Sequence, residues 1–325
     1  MPKLHAHTLL SLAAADALGA ATEFKTPEAI RARYGQAIVD YQTGSVFGFA
    51  AGEATDDTQM VVATLLGYRS GNSPSAVLAG LREWLATGPP DVGGLTREAL
   101  RYGSLSGGVK AWQASGFQGA GNGGLMRIAA VWLRGFRGTE LARESVLVTA
   151  LTHADPRCVF ASVFLTAFLE ELAQGQAYRA AAEAALKVMD AQDARRVLLD
   201  AELLGIETMQ ANHAFAEAER GARGEIRARV RNALEGRWTS QSGYVMDTLE
   251  AAVAHAQAAT WLGCVQPAVM HGDDSDTVAC VVGAIAGARG LELPPHLLPP
   301  LRLGHTWRGW QREWPLAEHV PELLA

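Results

Sequence analysis

The chain has 325 residues, of which 49% are hydrophobic and 19% are charged, a balance typical of globular proteins that bury a sizeable core. A net charge of −6 and an isoelectric point near 5.9 provide no basic footprint, so direct nucleic-acid binding is not expected. This composition excludes a disordered or fibrous chain. Because no linker rich in Gly, Ser or Pro divides the sequence, we expect one domain over residues 1–325.

The N-terminal segment superficially imitates a secretory signal, since Lys3 precedes an apolar run. Asp16 interrupts that run, and no apolar stretch in the sequence is long enough to span a bilayer, so membrane insertion is not expected. The three cysteines, Cys158, Cys264 and Cys280, form neither a disulfide framework nor a CxxC metal site. This pattern suggests a reducing compartment, and we expect a cytoplasmic protein.

Helical periodicity recurs from one end of the chain to the other, whereas strand signals are poor. The fold is therefore predicted to be all-α. In chain order, the predicted helices cover residues 7–20, 58–70, 75–87, 139–151, 157–174, 178–189, 195–217, 223–235, 244–261 and 277–289. Turns are predicted at 88–91, 119–124 and 293–300. The tail over 302–325, with Trp307, Trp310 and Trp314, is expected to pack as an irregular cover or a short helix.

Two acidic clusters each precede a predicted helix. The first is Thr55-Asp56-Asp57-Thr58, and the second covers residues 271–277, with Asp273, Asp274 and Asp276. One such cluster is ordinarily a helix cap that complements the helix dipole. Five aspartates before helices built for burial exceed what capping needs, because buried carboxylates are costly unless they are paired or bind a metal. Convergence of the two clusters is the economical interpretation.

Carboxylate and hydroxyl oxygens are hard ligands, and they favour Mg²⁺ or Mn²⁺ over zinc, which prefers His and Cys. A calcium loop is the alternative for these aspartates, but the EF-hand spacing and its terminal Glu are missing. The sequence therefore predicts a site for hard divalent cations.

Five separated motifs occur in the order found in the ADP-ribosylglycohydrolase family, which this chain resembles from about residue 9 to 289. The likeness is strongest to its bacterial branch, typified by dinitrogenase reductase-activating glycohydrolase. The motifs are Ala15-Asp16-Ala17-Leu18-Gly19 with Glu23-Phe24; Thr55-Asp56-Asp57-Thr58; the loop Gly88-Pro89-Pro90-Asp91-Val92-Gly93; Gly121-Asn122-Gly123-Gly124-Leu125-Met126-Arg127 with Thr152-His153-Ala154-Asp155; and Gly272-Asp273-Asp274-Ser275-Asp276-Thr277. Ala15, Asp273 and Ser275 depart from the family pattern, and none of them replaces an expected ligand.

The resemblance implies a single compact orthogonal helical bundle and two divalent cations, Mg²⁺ or Mn²⁺. The implied metal ligands are Thr55, Asp56, Asp57, Asp274, Asp276 and Thr277. Glu23 and Asp91 are implied as catalytic carboxylates, Glu23 reaching the site if one helix continues from Asp16. Arg127 is expected to pair with a carboxylate.

Gly119, Gly121, Asn122, His153 and Tyr244 are implied to contact ADP-ribose, the 119–122 loop through amides close to a diphosphate. Each of these residues also has a purely structural interpretation. The glycines form a turn, His153 complements a helix end, and Tyr244 packs as a core aromatic. Only the family context favours ligand contact.

The implied reaction is hydrolysis of the bond between the anomeric carbon of the distal ribose and its acceptor. Cations would orient the ribose diol and activate water, and Glu23 or Asp91 would move protons. ADP-ribosyl-arginine on protein is the expected substrate. The alternatives are O-linked ADP-ribose, as serine-linked ADP-ribose, poly(ADP-ribose) or O-acetyl-ADP-ribose, and a non-catalytic ADP-ribose-binding or structural relative. The presence of all six implied ligands favours catalysis.

Overall fold

The computed structural model describes residues 2–304 and 320–324, and these residues are predominantly helical. The α-helices are α1 Pro2–Gly19, α2 Pro27–Tyr34, α3 Asp56–Ser70, α4 Pro74–Ala86, α5 Gly94–Tyr102, α6 Gly107–Ala114, α7 Ala129–Arg134, α8 Gly138–Ala150, α9 Pro156–Ala173, α10 Tyr178–Ala191, α11 Ala194–Asp200, α12 Met209–Leu234, α13 Val245–His255, α14 Trp261–His271, α15 Ser275–Ala288 and α16 Val320–Leu323. In the two described ranges no strand forms, and β pairing is limited to isolated bridges. The predicted all-α fold is confirmed.

Helices α1 and α15 form the closest pair in the fold, and both are built mainly from small apolar residues. A Cβ atom at Gly283 would lie 2.6 Å from the Ser11 carbonyl oxygen, and one at Gly19 would lie 2.5 Å from Asp276 Cα. The two backbones therefore touch, and only glycine fits at these contacts. This approach places the end of α1 directly beside the first turn of α15.

Helix α9 supports this pair from the other side and contacts α8, α10, α12, α13 and α15. Its Phe160, Phe164 and Phe168 are fully buried. Because nearly every side chain of α9 is buried, it packs against helices on all sides, as expected for a helix without a polar face. Helices α1, α9 and α15 thus form the interior of the fold, and the loops lie around them.

Two predicted helical segments have different boundaries in the structure. The predicted helix 195–217 is wrong as one element, because α11 ends at Asp200, Glu202 has a positive φ of 59°, and α12 begins only at Met209. Helix α12 then continues through residues 218–222, including Gly221, where the prediction broke it. Similarly, the predicted helix 244–261 is too long, because α13 ends at His255. Helix α14, which begins at Trp261, was not predicted, and Thr260 caps it by accepting a hydrogen bond from Gly263 N–H.

The short helices α2, α5, α6 and α7 were not predicted. Each has six to nine residues, and α5 and α6 begin with glycine, so their apolar pattern is too short to establish a period. None of the described helices is long and apolar enough to cross a membrane. The predicted packing of Trp307, Trp310 and Trp314 concerns residues outside the described ranges.

Candidate active site

The two acidic clusters meet where the N-termini of α3 and α15 converge. The Thr277 hydroxyl donates a hydrogen bond to Asp57 Oδ2 at 3.2 Å, across 220 residues of sequence. Carboxylate oxygens of Asp16, Asp57 and Asp276 lie within 4.8 Å of one another, and those of Glu23, Asp91 and Asp276 form a second such group. Asp276 belongs to both groups. Buried acidic groups that could hold a metal ion are therefore present.

Capping does not account for the aspartates. Thr55, not an aspartate, caps α3 by accepting from Asp57 N–H, and Asp274, in the cap position of α15, makes no side-chain capping bond. The buried oxygens Glu23 Oε2, Asp57 Oδ1 and Asp276 Oδ1 have no hydrogen-bond partner. Buried polar atoms are normally satisfied, so these oxygens fit a bound cation.

Asp16 holds the site together from within α1. Its carboxylate is fully buried and accepts four hydrogen bonds. The backbone amide and the hydroxyl of Thr55 donate at 3.1 and 2.8 Å, and those of Thr58 donate at 3.0 and 2.5 Å. Since both oxygens of Asp16 are already engaged, Asp16 fixes the first turn of α3 against α1. The unpartnered oxygens of Asp57 and Asp276 remain available for a ligand.

Burial raises the pKa of every carboxyl group in the cluster. It raises the pKa of Asp16 and that of Asp91 to about 6. It raises the pKa of Glu23 to about 11, with further contributions from the charges of Asp276 and Asp91. The pKa values of Asp56, Asp57, Asp274 and Asp276 also rise because of burial. Divalent cations would relieve this repulsion and restore the charged forms.

Glu23 does not reach the site on a continued helix, as the sequence suggested. Helix α1 ends at Gly19, and a turn over residues 20–24 carries Glu23 to the cluster. Asp91 comes from the loop before α5. Glu23 is 3% exposed, whereas Asp91 is partly exposed. Both carboxylates therefore border the same polar cleft from different loops.

The cleft beside the cluster has a volume of about 280 Å³. Its described lining combines carboxylates, glycines and a few apolar side chains: Glu23, Phe24, Asp56, Asp91, Gly93, Gly94, Leu95, Thr96, Gly121, Asn122, Gly123, Met126, His153, Gly243, Asp274, Asp276 and Thr277. No Lys or Arg occurs in this described lining. Most of the implied catalytic, metal-binding and loop residues thus line one cleft. The described lining does not include Gly119, Tyr244, Thr55 or Asp57.

The glycine loop is held by hydrogen bonds that restrict which amides face a ligand. Gly119 N–H donates to Ser115 Oγ, and Asn122 N–H donates to the Gly243 carbonyl oxygen. Gly121 N–H has no partner among the described residues. The Asn122 side chain donates to Asp274 Oδ2 at 2.6 Å, so this residue connects the loop to the acidic cluster. Gly121 N–H is therefore free to donate to a ligand in the cleft.

His153 is positioned by a buried chain of hydrogen bonds. Arg127 Nη2 donates to Thr152 Oγ1 at 2.6 Å, and Thr152 Oγ1 is hydrogen-bonded to His153 Nδ1 at 2.8 Å. Burial, and next the charge of Arg127, lower the pKa of His153 to about 3. The imidazole is therefore neutral. Its Nε2 atom lies 3.5 Å from where a Cβ at Gly121 would lie.

The expected pairing of Arg127 with a carboxylate is wrong. Its fully buried guanidinium instead donates to the carbonyl oxygens of Gly123 and Val148 and to the hydroxyl of Thr152. Backbone carbonyls substitute for the carboxylate because the guanidinium lies beneath the 3-10 turn Asn122–Gly124. Arg127 therefore supports the loop and orients His153.

Tyr244 lies at the start of α13, as predicted, where its hydroxyl donates to Glu225 Oε1 at 3.0 Å and accepts from Arg157. The neighbouring Gly243 lines the cleft, and Gly121 forms an isolated β-bridge with Tyr244. The tyrosine thereby ties the glycine loop to α13.

Comparison with known proteins agrees with this geometry. The family model described as ADP-ribosylglycohydrolase matches residues 6–324. The chain belongs to the ADP-ribosylglycohydrolase family. ADP-ribosylarginine hydrolase Tri1 of Pseudomonas putida (strain GB-1) is 30% identical over 294 residues, which cover 86% of this chain and 68% of the relative. ADP-ribosyl-[dinitrogen reductase] glycohydrolase of Rhodospirillum rubrum is 27% identical over 297 residues, which cover 88% of this chain and 86% of the relative.

A solved structure, described as an ADP-ribosylglycohydrolase-related protein complex, has the same fold. It superimposes with a TM-score of 0.69 at 23% identity, covering 99% of this chain and 96% of the other. The relatives of this chain include glycohydrolases that hydrolyse ADP-ribosyl bonds, so the chain belongs to a hydrolase family.

The sequence did not predict three contributors to this candidate site: Asp16 as the anchor of α3, Thr58 as its partner, and the Asn122 side chain on Asp274. Asp16 carried a signal, because one aspartate within an alanine-rich buried helix needs partners. The contact of Asn122 with Asp274 left no signal in the sequence, since it joins residues 152 positions apart.

Proposed function

We propose that this protein is a metal-dependent hydrolase that releases ADP-ribose from ADP-ribosyl-arginine on proteins. The observation that carries the proposal is the convergence of three unpartnered, buried carboxylate oxygens, on Glu23, Asp57 and Asp276, beside a cleft. The names of the Tri1 relatives support arginine as the acceptor. A cytoplasmic location, consistent with three free buried cysteines, is part of the proposal.

Two divalent cations, Mg²⁺ or Mn²⁺, would be held by the acidic clusters. Asp57 and Asp276 offer free oxygens, and Thr55, Asp56, Asp274 and Thr277 complete a set of hard ligands around them. When bound, such cations supply Lewis-acid stabilisation of charge and orient oxygen ligands. Asp16 keeps α3 in place for this purpose through its four hydrogen bonds.

In the proposed reaction, water adds to the anomeric carbon of the distal ribose as the bond from that carbon to the guanidine nitrogen breaks. Glu23 or Asp91 accepts a proton from the water and delivers it to the guanidine nitrogen as that nitrogen leaves. Their carboxylates lie in one group with Asp276, so proton transfer and charge stabilisation occur at the same place.

The other contacts proposed for ADP-ribose follow from the cleft. Gly121 N–H and, in the tautomer that carries its proton on Nε2, the neutral His153 ring are the donors suited to a diphosphate. Asn122, Gly119 and Tyr244 act mainly by shaping the loop, since the Gly119 and Asn122 amides and the Tyr244 hydroxyl already have partners.

The test is an assay of ADP-ribose release from arginine-linked and serine-linked ADP-ribosyl peptides, each with Mg²⁺, Mn²⁺ or EDTA. We expect release from the arginine-linked peptide with a cation and none with EDTA. Release only from the serine-linked peptide would refute arginine as the acceptor and indicate serine instead. Release that is unaffected by EDTA would refute the metal dependence. ADP-ribose binding without release would assign a non-catalytic role.

A further inference from the structure

Phe24 is an exposed aromatic residue at the cleft with a costly backbone conformation. Its side chain is 65% exposed and lines the cleft, and its φ is +54°. The left-handed region is unfavourable for a non-glycine residue, because its Cβ atom crowds the following carbonyl oxygen. Burial of the side chain does not offset this cost, because most of the ring faces solvent. A strained, exposed aromatic at a cleft indicates a ligand contact.

The position of Phe24 is fixed by its surroundings. Its backbone N–H donates to the Asp273 carbonyl oxygen at 2.7 Å, and Asp273 N–H donates back to Lys25 O. The Phe47 ring meets the Phe24 ring edge-on, with centroids 6.1 Å apart. The Lys25 ammonium donates to Gly44 O and secures the segment that carries Phe47. The exposed ring is therefore presented by a constrained loop.

The chain position of Phe24 identifies which part of a substrate it meets. Phe24 directly follows Glu23, whose carboxylate groups with those of Asp91 and Asp276. On the proposed function, the distal ribose and its scissile bond lie at this group. The group attached to that ribose, the acceptor, is therefore within reach of the ring, whereas adenine lies beyond the diphosphate.

The chemistry of this part of the cleft matches a guanidinium. Beside the carboxylates assigned to the cations, the described lining offers those of Glu23 and Asp91, and it includes no Lys or Arg side chain. A guanidinium is planar, always charged and weakly hydrated, and it both stacks on aromatic rings and donates to carboxylates. The O-glycosidic oxygen of a serine linkage offers neither interaction.

We propose that Phe24 determines acceptor specificity: its ring stacks on the guanidinium of ADP-ribosyl-arginine while Glu23 and Asp91 face the guanidinium nitrogens. This inference rests on the proposed function. It assigns the ring to the acceptor and not to the ADP-ribose part of the substrate.

The test compares Phe24→Leu, which is apolar without a π system, with Phe24→Tyr, which retains the ring; both keep a side chain in the strained conformation. For Phe24→Leu we expect kcat/KM on an arginine-linked peptide to fall by about 2- to 30-fold, which is the effect of losing one cation–π contact. The Kd for ADP-ribose, measured by calorimetry, should stay unchanged, and Phe24→Tyr should retain wild-type activity. Val46→Ala, at another exposed apolar residue outside the described lining, is the matched control.

Each other outcome overturns the inference in a distinguishable way. A weaker Kd for ADP-ribose in Phe24→Leu would assign the ring to adenine or ribose. Unchanged kcat/KM would leave the ring without a role in the acceptor site. If the wild-type protein hydrolyses only serine-linked substrate, the arginine part of the proposed function fails, and the inference fails with it before any variant is compared.

Discussion

Asp276 is the residue on which the site depends most, because its carboxylate belongs to both groups of ligand atoms. Its backbone packs against Gly19, and one of its oxygens has no partner. An amide at this position preserves the shape and removes the charge shared by the two groups. The substitution therefore separates ligand chemistry from folding.

For Asp276→Asn we expect metal-free stability to stay level or rise, since repulsion among the carboxylates falls. The increase in Tm caused by Mg²⁺ or Mn²⁺ should shrink sharply, because binding linked to folding is lost. ADP-ribose release should fall by about 100-fold or more, as expected when several kcal/mol of charge stabilisation are removed.

Asp273→Asn is the matched control, because this side chain is 61% exposed and lies outside the described lining. Asparagine also tolerates the positive φ of 52° at this position. Wild-type activity together with a wild-type metal effect in Asp276→Asn would contradict the ligand assignment.

At the scale of elements, the pairing of α1 with α15 brings Asp16 to Asp276. Glycine permits this approach, since Gly283 and Gly287 both meet the backbone of α1. The pair therefore positions the site and forms part of the interior at the same time.

Gly283→Ala should force α1 away from α15, because the added Cβ would lie 2.6 Å from Ser11 O and 2.8 Å from Leu12 Cα. We expect a loss of about 1–3 kcal/mol in the free energy of unfolding, measured by urea denaturation, and weaker metal-induced stabilisation. Gly221→Ala is the control on α12, where an added Cβ meets nothing within 4 Å. It should gain about 0.5–1 kcal/mol from helix propensity. Equal effects of the two substitutions would refute the close-packing argument.

At the scale of the whole molecule, the acidic cluster couples stability to pH. Below about pH 4 these carboxyl groups are protonated in both the folded and the unfolded protein. As pH rises, the unfolded chain releases protons that the folded chain retains, because burial raises the folded-state pKa of Asp16 and Asp91 to about 6 and that of Glu23 to about 11. Stability then falls as pH increases.

In EDTA, we therefore expect the contribution of this cluster to the free energy of unfolding to decline from pH 4 through pH 6, and more gradually beyond because of Glu23. Saturating Mg²⁺ or Mn²⁺ should flatten the decline, since cations favour the charged forms. Urea denaturation at several pH values, with Glu23→Gln as the variant that removes one titrating group, measures this difference. Identical pH profiles with EDTA and with cation would contradict the coupling.

The sequence by itself predicted the all-α fold and both acidic clusters, because these rest on local patterns: helical periodicity, and aspartates before apolar runs. Burial of Glu23, Asp56, Asp57 and Asp276 beside a cleft also agrees with the expectation that these residues converge. The roles assigned to individual residues stay predictions that the proposed experiments test.

Only the tertiary structure decided which groups meet. It divided 195–217 into α11 and α12, carried Glu23 to the site on a turn, and gave Arg127 backbone carbonyls instead of a carboxylate. It also exposed Phe24 at the cleft and used Asp16 to hold α3. These arrangements depend on contacts between residues far apart in sequence, such as Asp16 with Thr58 and Asn122 with Asp274. Local propensity carries no information about such contacts, because they form only when α1 and α15 pack backbone to backbone and bring separate loops to one end of the bundle.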